Sequence, residues 1–155
     1  MDNPESAVAD HYGVPDLLAR ILDALVGADV DLDYLAPDDL APVDEFHIGG
    51  RPATEYAAAK MSVSNNQHIL DVGCGIGGAT RYLASQFDCR ITGIDLTPDY
   101  IDVARELAVR TDLGRQVSYE VASVLDMPFH EAHFDAAITL HVAMNIQDRA
   151  FFMAW

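Results

Sequence analysis

The residues that could do chemistry gather around one short run. Asp71-Val72-Gly73-Cys74-Gly75-Ile76-Gly77-Gly78 follows the apolar stretch His68-Ile69-Leu70 and leads into Ala79-Thr80-Arg81-Tyr82-Leu83-Ala84. Glycines have no Cβ, so their backbone N–H groups can approach a ligand closely, and a helix starting just beyond favours such contacts. Asp95 closes the next apolar run, Arg90-Ile91-Thr92-Gly93-Ile94. A carboxylate there can accept both hydroxyls of a ribose, and Leu96 beside it offers a surface for the base. The spacing Gly73-x-Gly75-x-x-Gly78, with Asp95 downstream, satisfies the dinucleotide fingerprint, so an NAD-dependent oxidoreductase stays open. His141 follows a further apolar run and is a candidate general base, because an imidazole can be neutral at working pH.

These groups need a scaffold that holds turns at strand ends. The pattern predicts strands over about 68–73, 90–95, 116–121 and 134–140, with helices over about 78–86 and 97–110 between them. Thr97 and Pro98 are suited to the N-cap and first turn of the second helix. Alternation of this kind implies a parallel sheet with helical crossovers, and ligands beyond the carboxyl ends of its strands. Before the first strand, Val14, Leu17, Leu18, Ile21, Leu22, Leu25 and Val26 recur at helical spacing between Pro15 and Gly27. A short turn near 37–41, a loop at 46–50 and an alanine-rich helix over 51–61 follow. The expected organisation is an N-terminal helical cap or lid over 1–50 and a cofactor-binding domain over 51–155.

The sequence Asp71-x-Gly73-x-Gly75-x-Gly77 resembles the first motif of class I S-adenosylmethionine-dependent methyltransferases. The segments around His47 and His141 resemble those of bacterial quinone-type and glycine/sarcosine-type small-molecule methyltransferases. The resemblance implies an α/β, Rossmann-like methyltransferase fold: a parallel sheet with helices on both faces. It implies S-adenosyl-L-methionine as cofactor, with the methionyl part on the turn formed by Gly73, Cys74, Gly75 and Gly77 and its cationic amino group near Asp71. An NAD site has little use for an acid at Asp71. Asp95 and Leu96 would then take the adenosine. Many relatives carry an Asp that binds the adenine amino group; Ser123 stands at that position, beside Val124, and offers a hydroxyl without charge assistance. The resemblance also sets the 46–54 loop, with His47, against the cofactor. Leu140 falls on the cofactor side, and His141 and Met144 beside the acceptor pocket. Tyr12 is a candidate lid residue. The reaction implied is in-line methyl transfer to a small-molecule acceptor, which depends on alignment more than on acid or base.

Composition narrows the alternatives. The net charge is −16, and Arg20 is the only lysine or arginine among the first fifty residues. Such a chain repels phosphate backbones, so nucleic acid is not an expected partner. The acidic N-terminal region reads as a solvated face, or as attraction for a cationic substrate. No apolar run approaches the length of a membrane span, and the cytoplasm is the expected location. Cys74 and Cys89 form no disulfide framework. His130 and His133 do not match a zinc-protease pattern, and no metal is expected. The methyltransferase fold normally continues beyond four strands, so the chain is expected to be a C-terminally truncated fragment. Its last strand would then present an edge through which copies could associate. A non-catalytic nucleoside-binding module is the remaining alternative.

Overall fold

The computed structural model describes residues 15–45, 47–146, 148 and 150. Four strands form the sheet: β1 (His68–Val72), β2 (Arg90–Asp95), β3 (Val117–Val121) and β4 (Ala136–Thr139). They are all parallel, in the order β3-β2-β1-β4. The order reverses between β1 and β4, which places a topological switch point where the glycine turn leaves β1. Helices α1 (Leu17–Gly27), α2 (Pro37–Asp44) and α3 (Gly50–Lys60) precede the sheet. Helix α4 (Gly78–Gln86) crosses from β1 to β2, and α5 (Pro98–Arg110) from β2 to β3.

The two faces of the sheet follow the period-two alternation of strands. Ile69 and Ile91 pack on one side, with Leu83 and Ala84 of α4 and Ile101, Ala104 and Ala108 of α5. Leu70, Val72 and Ile94 pack on the other, under Val124, Met127, Phe129 and Phe134 of the β3–β4 connection. The second face also holds a polar ladder at its lower end. His68 Nε2 lies 2.8 Å from Thr92 Oγ1, which lies 2.9 Å from Ser118 Oγ. Helices α1 and α2 close a separate apolar cluster in which Ile21, Leu25, Leu35 and Leu40 meet Ile76, Val103 and Leu107.

Several boundaries differ from expectation for local reasons. Helix α1 starts at Leu17 because Asp16 adopts a left-handed conformation, φ +56°. Helix α2 is eight residues long and runs to Asp44, three residues past the anticipated turn. It runs through Pro42, which can donate no N–H to the ladder. Tertiary contacts hold it instead: Leu40 is fully buried, and Asp39 Oδ2 accepts the Ala36 N–H at 2.9 Å. Thr97 is the N-cap of α5 and Pro98 its first residue, yet the Thr97 side chain makes no cap; its N–H donates to Asp95 Oδ1 at 2.9 Å. Strand β4 is four residues long, shorter than the apolar run. At its start, Asp135 latches to β1, its Oδ2 accepting the His68 N–H at 2.7 Å. At its end, His141 turns the chain with φ +58°. Residues 143–145 form a single 3-10 turn. The anticipated final helix falls largely outside the described residues.

Candidate cofactor site

The glycine turn is pinned from beneath. The N–H groups of Gly73 and Cys74 both donate to the Ile94 carbonyl, at 2.8 and 3.0 Å. Gly73, Gly75 and Gly77 take positive φ values of +71°, +54° and +83°, a region in which a Cβ is strained. Their surroundings differ. A Cβ on Gly73 would meet Val142 at 2.2 Å, and one on Gly77 would meet the Tyr119 hydroxyl at 2.4 Å. A Cβ on Gly75 would meet nothing within 4 Å. Gly78 is approached by the Asp44 carbonyl, 2.7 Å from its would-be Cβ, so α2 packs directly on the start of α4.

A cavity of about 510 Å³ opens above this turn. Asp71, Gly73, Cys74, Gly75, Asp95, Leu96, Ser123, Val124, Leu140 and His141 line it, together with His47 from the loop before α3. The structure therefore brings together eleven of the residues singled out from the sequence. Gly77 and Met144 are not in the wall: Gly77 sits under Tyr119, and Met144 is 64% exposed. Tyr12 and Phe46 lie outside the described residues. His133, which drew notice for its spacing from His130, packs edge-on or stacked among Phe129, Phe134 and His68.

Each carboxylate of the site has a distinct setting. Asp95 spans the turn: its Oδ2 accepts the Gly75 N–H and its Oδ1 the Thr97 N–H, both at 2.9 Å. Each oxygen keeps a further lone pair for a ligand hydroxyl. Asp71 is 2% exposed and accepts from Thr80 Oγ1 at 2.6 Å. Burial, and secondarily the charge of Asp95, push its carboxyl up to about 6, against the Thr80 hydrogen bond and His47, which lower it. The sign follows from linkage. A raised folded-state value stabilises the fold below the unfolded value near 4, and that stabilisation is lost as pH rises to about 6. Asp71→Asn keeps the acceptor for Thr80 and removes the ionisation. The stability of Asp71→Asn relative to wild type is therefore expected to increase by about 3 kcal/mol from pH 4 to 6 and then level off. Urea unfolding of both proteins across this range measures it.

Ser123 Oγ accepts the Leu125 N–H at 3.0 Å, which fixes the hydroxyl at the cavity wall. His47 and His141 stack with centroids 5.6 Å apart and planes 12° apart. His141 is the exposed member of the pair.

Sequence reasoning missed the groups that hold this wall in place. Arg81 is fully buried and donates to Asp44 Oδ2 at 2.6 Å and to the Ile76 carbonyl at 2.7 Å. Burial raises the Asp44 carboxyl above its ordinary value, and Arg81 opposes this. Arg51 binds Glu45, Asp38 and the Pro37 carbonyl, with its guanidinium 4.7 Å from the Tyr82 ring centre. Asp44 and Glu45 belong to the acidic stretch read as a solvated face; both side chains are 1% exposed and paired with arginine. The available signal was Arg81 itself, a charge among the core-facing positions of a short helix.

Comparison with known proteins agrees with this geometry. A family model described as a methyltransferase domain matches residues 69–154. The O-methyltransferase cnsE of Penicillium expansum is 29% identical over 149 residues, 96% of this chain and 53% of that one. The chloroplastic tocopherol O-methyltransferase of Arabidopsis thaliana is 40% identical over 85 residues, 55% of this chain and 24% of that one. The structure of Haemonchus contortus phosphoethanolamine N-methyltransferase 2 in complex with S-adenosyl-L-methionine superposes with a TM-score of 0.66 at 25% identity, covering 72% of this chain and 26% of that one. The chain thus spans about half the length of the fungal relative and about a quarter of the plant one. With a parallel sheet in the order β3-β2-β1-β4 and the family match over 69–154, this chain belongs to the methyltransferase domain family.

Proposed function

We propose that this chain carries the cofactor site of an S-adenosyl-L-methionine-dependent methyltransferase that acts on a small-molecule acceptor. One observation carries the reading: a single cavity at the switch point gathers Asp71, the left-handed glycines and Asp95. The residues fit the cofactor. Gly75 leaves open space where a side chain would stand, and Asp95 is held rigid beside it. Leu96, Val124 and Leu140 provide apolar wall for the base and the methionyl arm. Asp71 lies beneath the turn, where a cationic amino group would favour its ionised form. Ser123 supplies a neutral acceptor at the adenine end. The bound cofactor supplies an activated methyl group on a sulfonium sulfur. The chain supplies alignment and exclusion of water.

The helices before Gly50 serve in this reading as a cap on the acceptor side, anchored through Asp44 and Arg51. The unpaired side of β4, among the described residues, supports self-association. The net charge supports an acceptor other than nucleic acid. No helix among the described residues is long and apolar enough to cross a membrane. The free, buried thiols of Cys74 and Cys89 fit a reducing compartment such as the cytoplasm.

Thermal unfolding tests the reading against the dinucleotide alternative. S-adenosylhomocysteine at one hundred times its dissociation constant contributes about 2.7 kcal/mol. For a chain of 155 residues the melting temperature is expected to rise by about 5–10 °C. NAD at the same concentration is expected to leave it in place; the reverse pattern would favour the oxidoreductase.

A further inference from the structure

Thr80 spends its hydroxyl proton in an uncommon direction. A threonine inside a helix often turns its hydroxyl back to the carbonyl three or four residues earlier. Thr111, just past the end of α5, does so: its Oγ1 donates to the Leu107 carbonyl at 2.9 Å. Thr80 lies in the first turn of α4 and is fully buried. The Ile76 carbonyl, four residues earlier, accepts from the Arg81 guanidinium at 2.7 Å. The Thr80 hydroxyl crosses the glycine turn instead and donates to Asp71 Oδ2 at 2.6 Å. A hydroxyl has one proton to give, so this bond is its whole donor capacity. It ties the end of β1 to the start of α4 and closes the loop that carries Gly73, Gly75 and Gly77.

Asp71 lines the cavity at 2% exposure, in a wall that holds no lysine or arginine. Its titratable neighbours are Asp95 of β2, His47 before α3, Cys74 of the turn and Tyr119 of β3. Thr80 takes up Oδ2, and Oδ1 is the oxygen left for a ligand. We propose that Thr80 is a positioning residue for cofactor binding: its hydroxyl holds the Asp71 carboxylate in place for the cationic amino group of the cofactor. The assignment rests on the cofactor reading above. Thr80 acts on that carboxylate in two ways. The bond fixes the rotation of the carboxyl group. It also favours the ionised form, as any donor to a carboxylate does. Burial pushes this carboxyl up to about 6, and the Thr80 bond is the largest influence in the opposite direction. Without it, Asp71 would take up its proton at a higher pH and meet the amino group as a neutral acid.

Thr80→Val removes the hydroxyl at nearly constant volume, and Thr80→Ser restores one. Calorimetry on the full chain compares two ligands in wild type and both variants. One is S-adenosylhomocysteine; the other is methylthioadenosine, which keeps the nucleoside and the sulfur but has no amino-acid end. At neutral pH Thr80→Val is expected to weaken S-adenosylhomocysteine about tenfold and methylthioadenosine by less than about twofold. Thr80→Ser is expected to return the ratio of the two affinities to the wild-type value. The affinity for S-adenosylhomocysteine should rise with pH as Asp71 ionises, and in Thr80→Val this rise should come at higher pH. An unchanged affinity ratio in Thr80→Val would overturn the proposal, because Thr80 would then only close the turn; a serine variant no different from valine would overturn it too. If the valine variant does not fold, the hydroxyl proton of Thr80 in the wild-type chain decides. Its resonance is expected to move on saturation with S-adenosylhomocysteine and to stay in place with methylthioadenosine; the same response to both overturns the assignment. Failure of the underlying reading looks different: neither ligand would then bind the wild-type chain.

Discussion

Replacing Arg81 by methionine is expected to lower the free energy of unfolding by about 3–5 kcal/mol, the range for breaking a buried ion pair. Arg81 and Asp44 are both removed from solvent, and Arg81 additionally holds the Ile76 carbonyl in the glycine turn. Methionine can fill much of the arginine's apolar volume, so the loss reports the charge left on Asp44. Two further observations separate this from a packing defect. The deficit should shrink toward low pH, where the Asp44 carboxyl, already raised by burial, takes up a proton. The double replacement Asp44→Leu with Arg81→Met should recover most of the loss, since an apolar pair can replace a buried ionic one. Urea denaturation of wild type, Arg81→Met, Asp44→Leu and the double variant measures both; a deficit below about 1 kcal/mol would mean that the pair contributes little.

The glycines give a second prediction, in which stability and binding part company. Gly77→Ala is expected to destabilise the fold by about 2–5 kcal/mol, combining left-handed strain with overpacking. Its Cβ would stand 2.4 Å from the hydroxyl of Tyr119, a residue only 4% exposed and wedged between the turn and Gly93. Gly75→Ala is expected to lose only about 1–2 kcal/mol, from backbone strain alone, because no atom lies within 4 Å of the added carbon. In the proposed site, that carbon stands where the backbone would meet the cofactor. The affinity for S-adenosylhomocysteine should therefore fall at least tenfold, the equivalent of about 1.4 kcal/mol. Calorimetric titration of the two variants, beside their unfolding curves, reads the contrast. Equal effects of both substitutions on stability and binding would show that the turn acts as one packed unit.

The contrast also explains how much of the site was legible in the sequence. Strand, turn and helix around Asp71–Gly78, and the acid at Asp95, could be read because short local patterns encode them. Pattern alone could not distinguish glycines needed for a ligand from glycines needed for packing. Gly77 is required by Tyr119, forty-two residues later in the chain, and Gly78 by Asp44. The acidic N-terminal stretch misled for a similar reason. Charge counting treats every carboxylate as solvated, whereas Asp44 and Glu45 turn inward because Arg81 and Arg51 are supplied by other helices. His47 was placed near the cofactor by resemblance. Its orientation rests on Glu45 and Thr54, whose neighbourhood exists only once the loop closes onto α3. Helix α2 outlasts Pro42 because buried Leu40 and its tied N-terminus outweigh one missing backbone bond.

Backbone amide spectra of the 15N-labelled chain, titrated with S-adenosylhomocysteine, test the central claim most directly. Saturable shifts are expected at Gly73, Cys74 and Gly75, at Asp95 and Leu96, and at Ser123 to Leu125, with one common dissociation constant. NAD at equal concentration should leave the same amides in place. Saturable shifts confined to other surfaces, or none with S-adenosylhomocysteine while NAD moves the glycine turn, would contradict a methyl-donor site in this cavity.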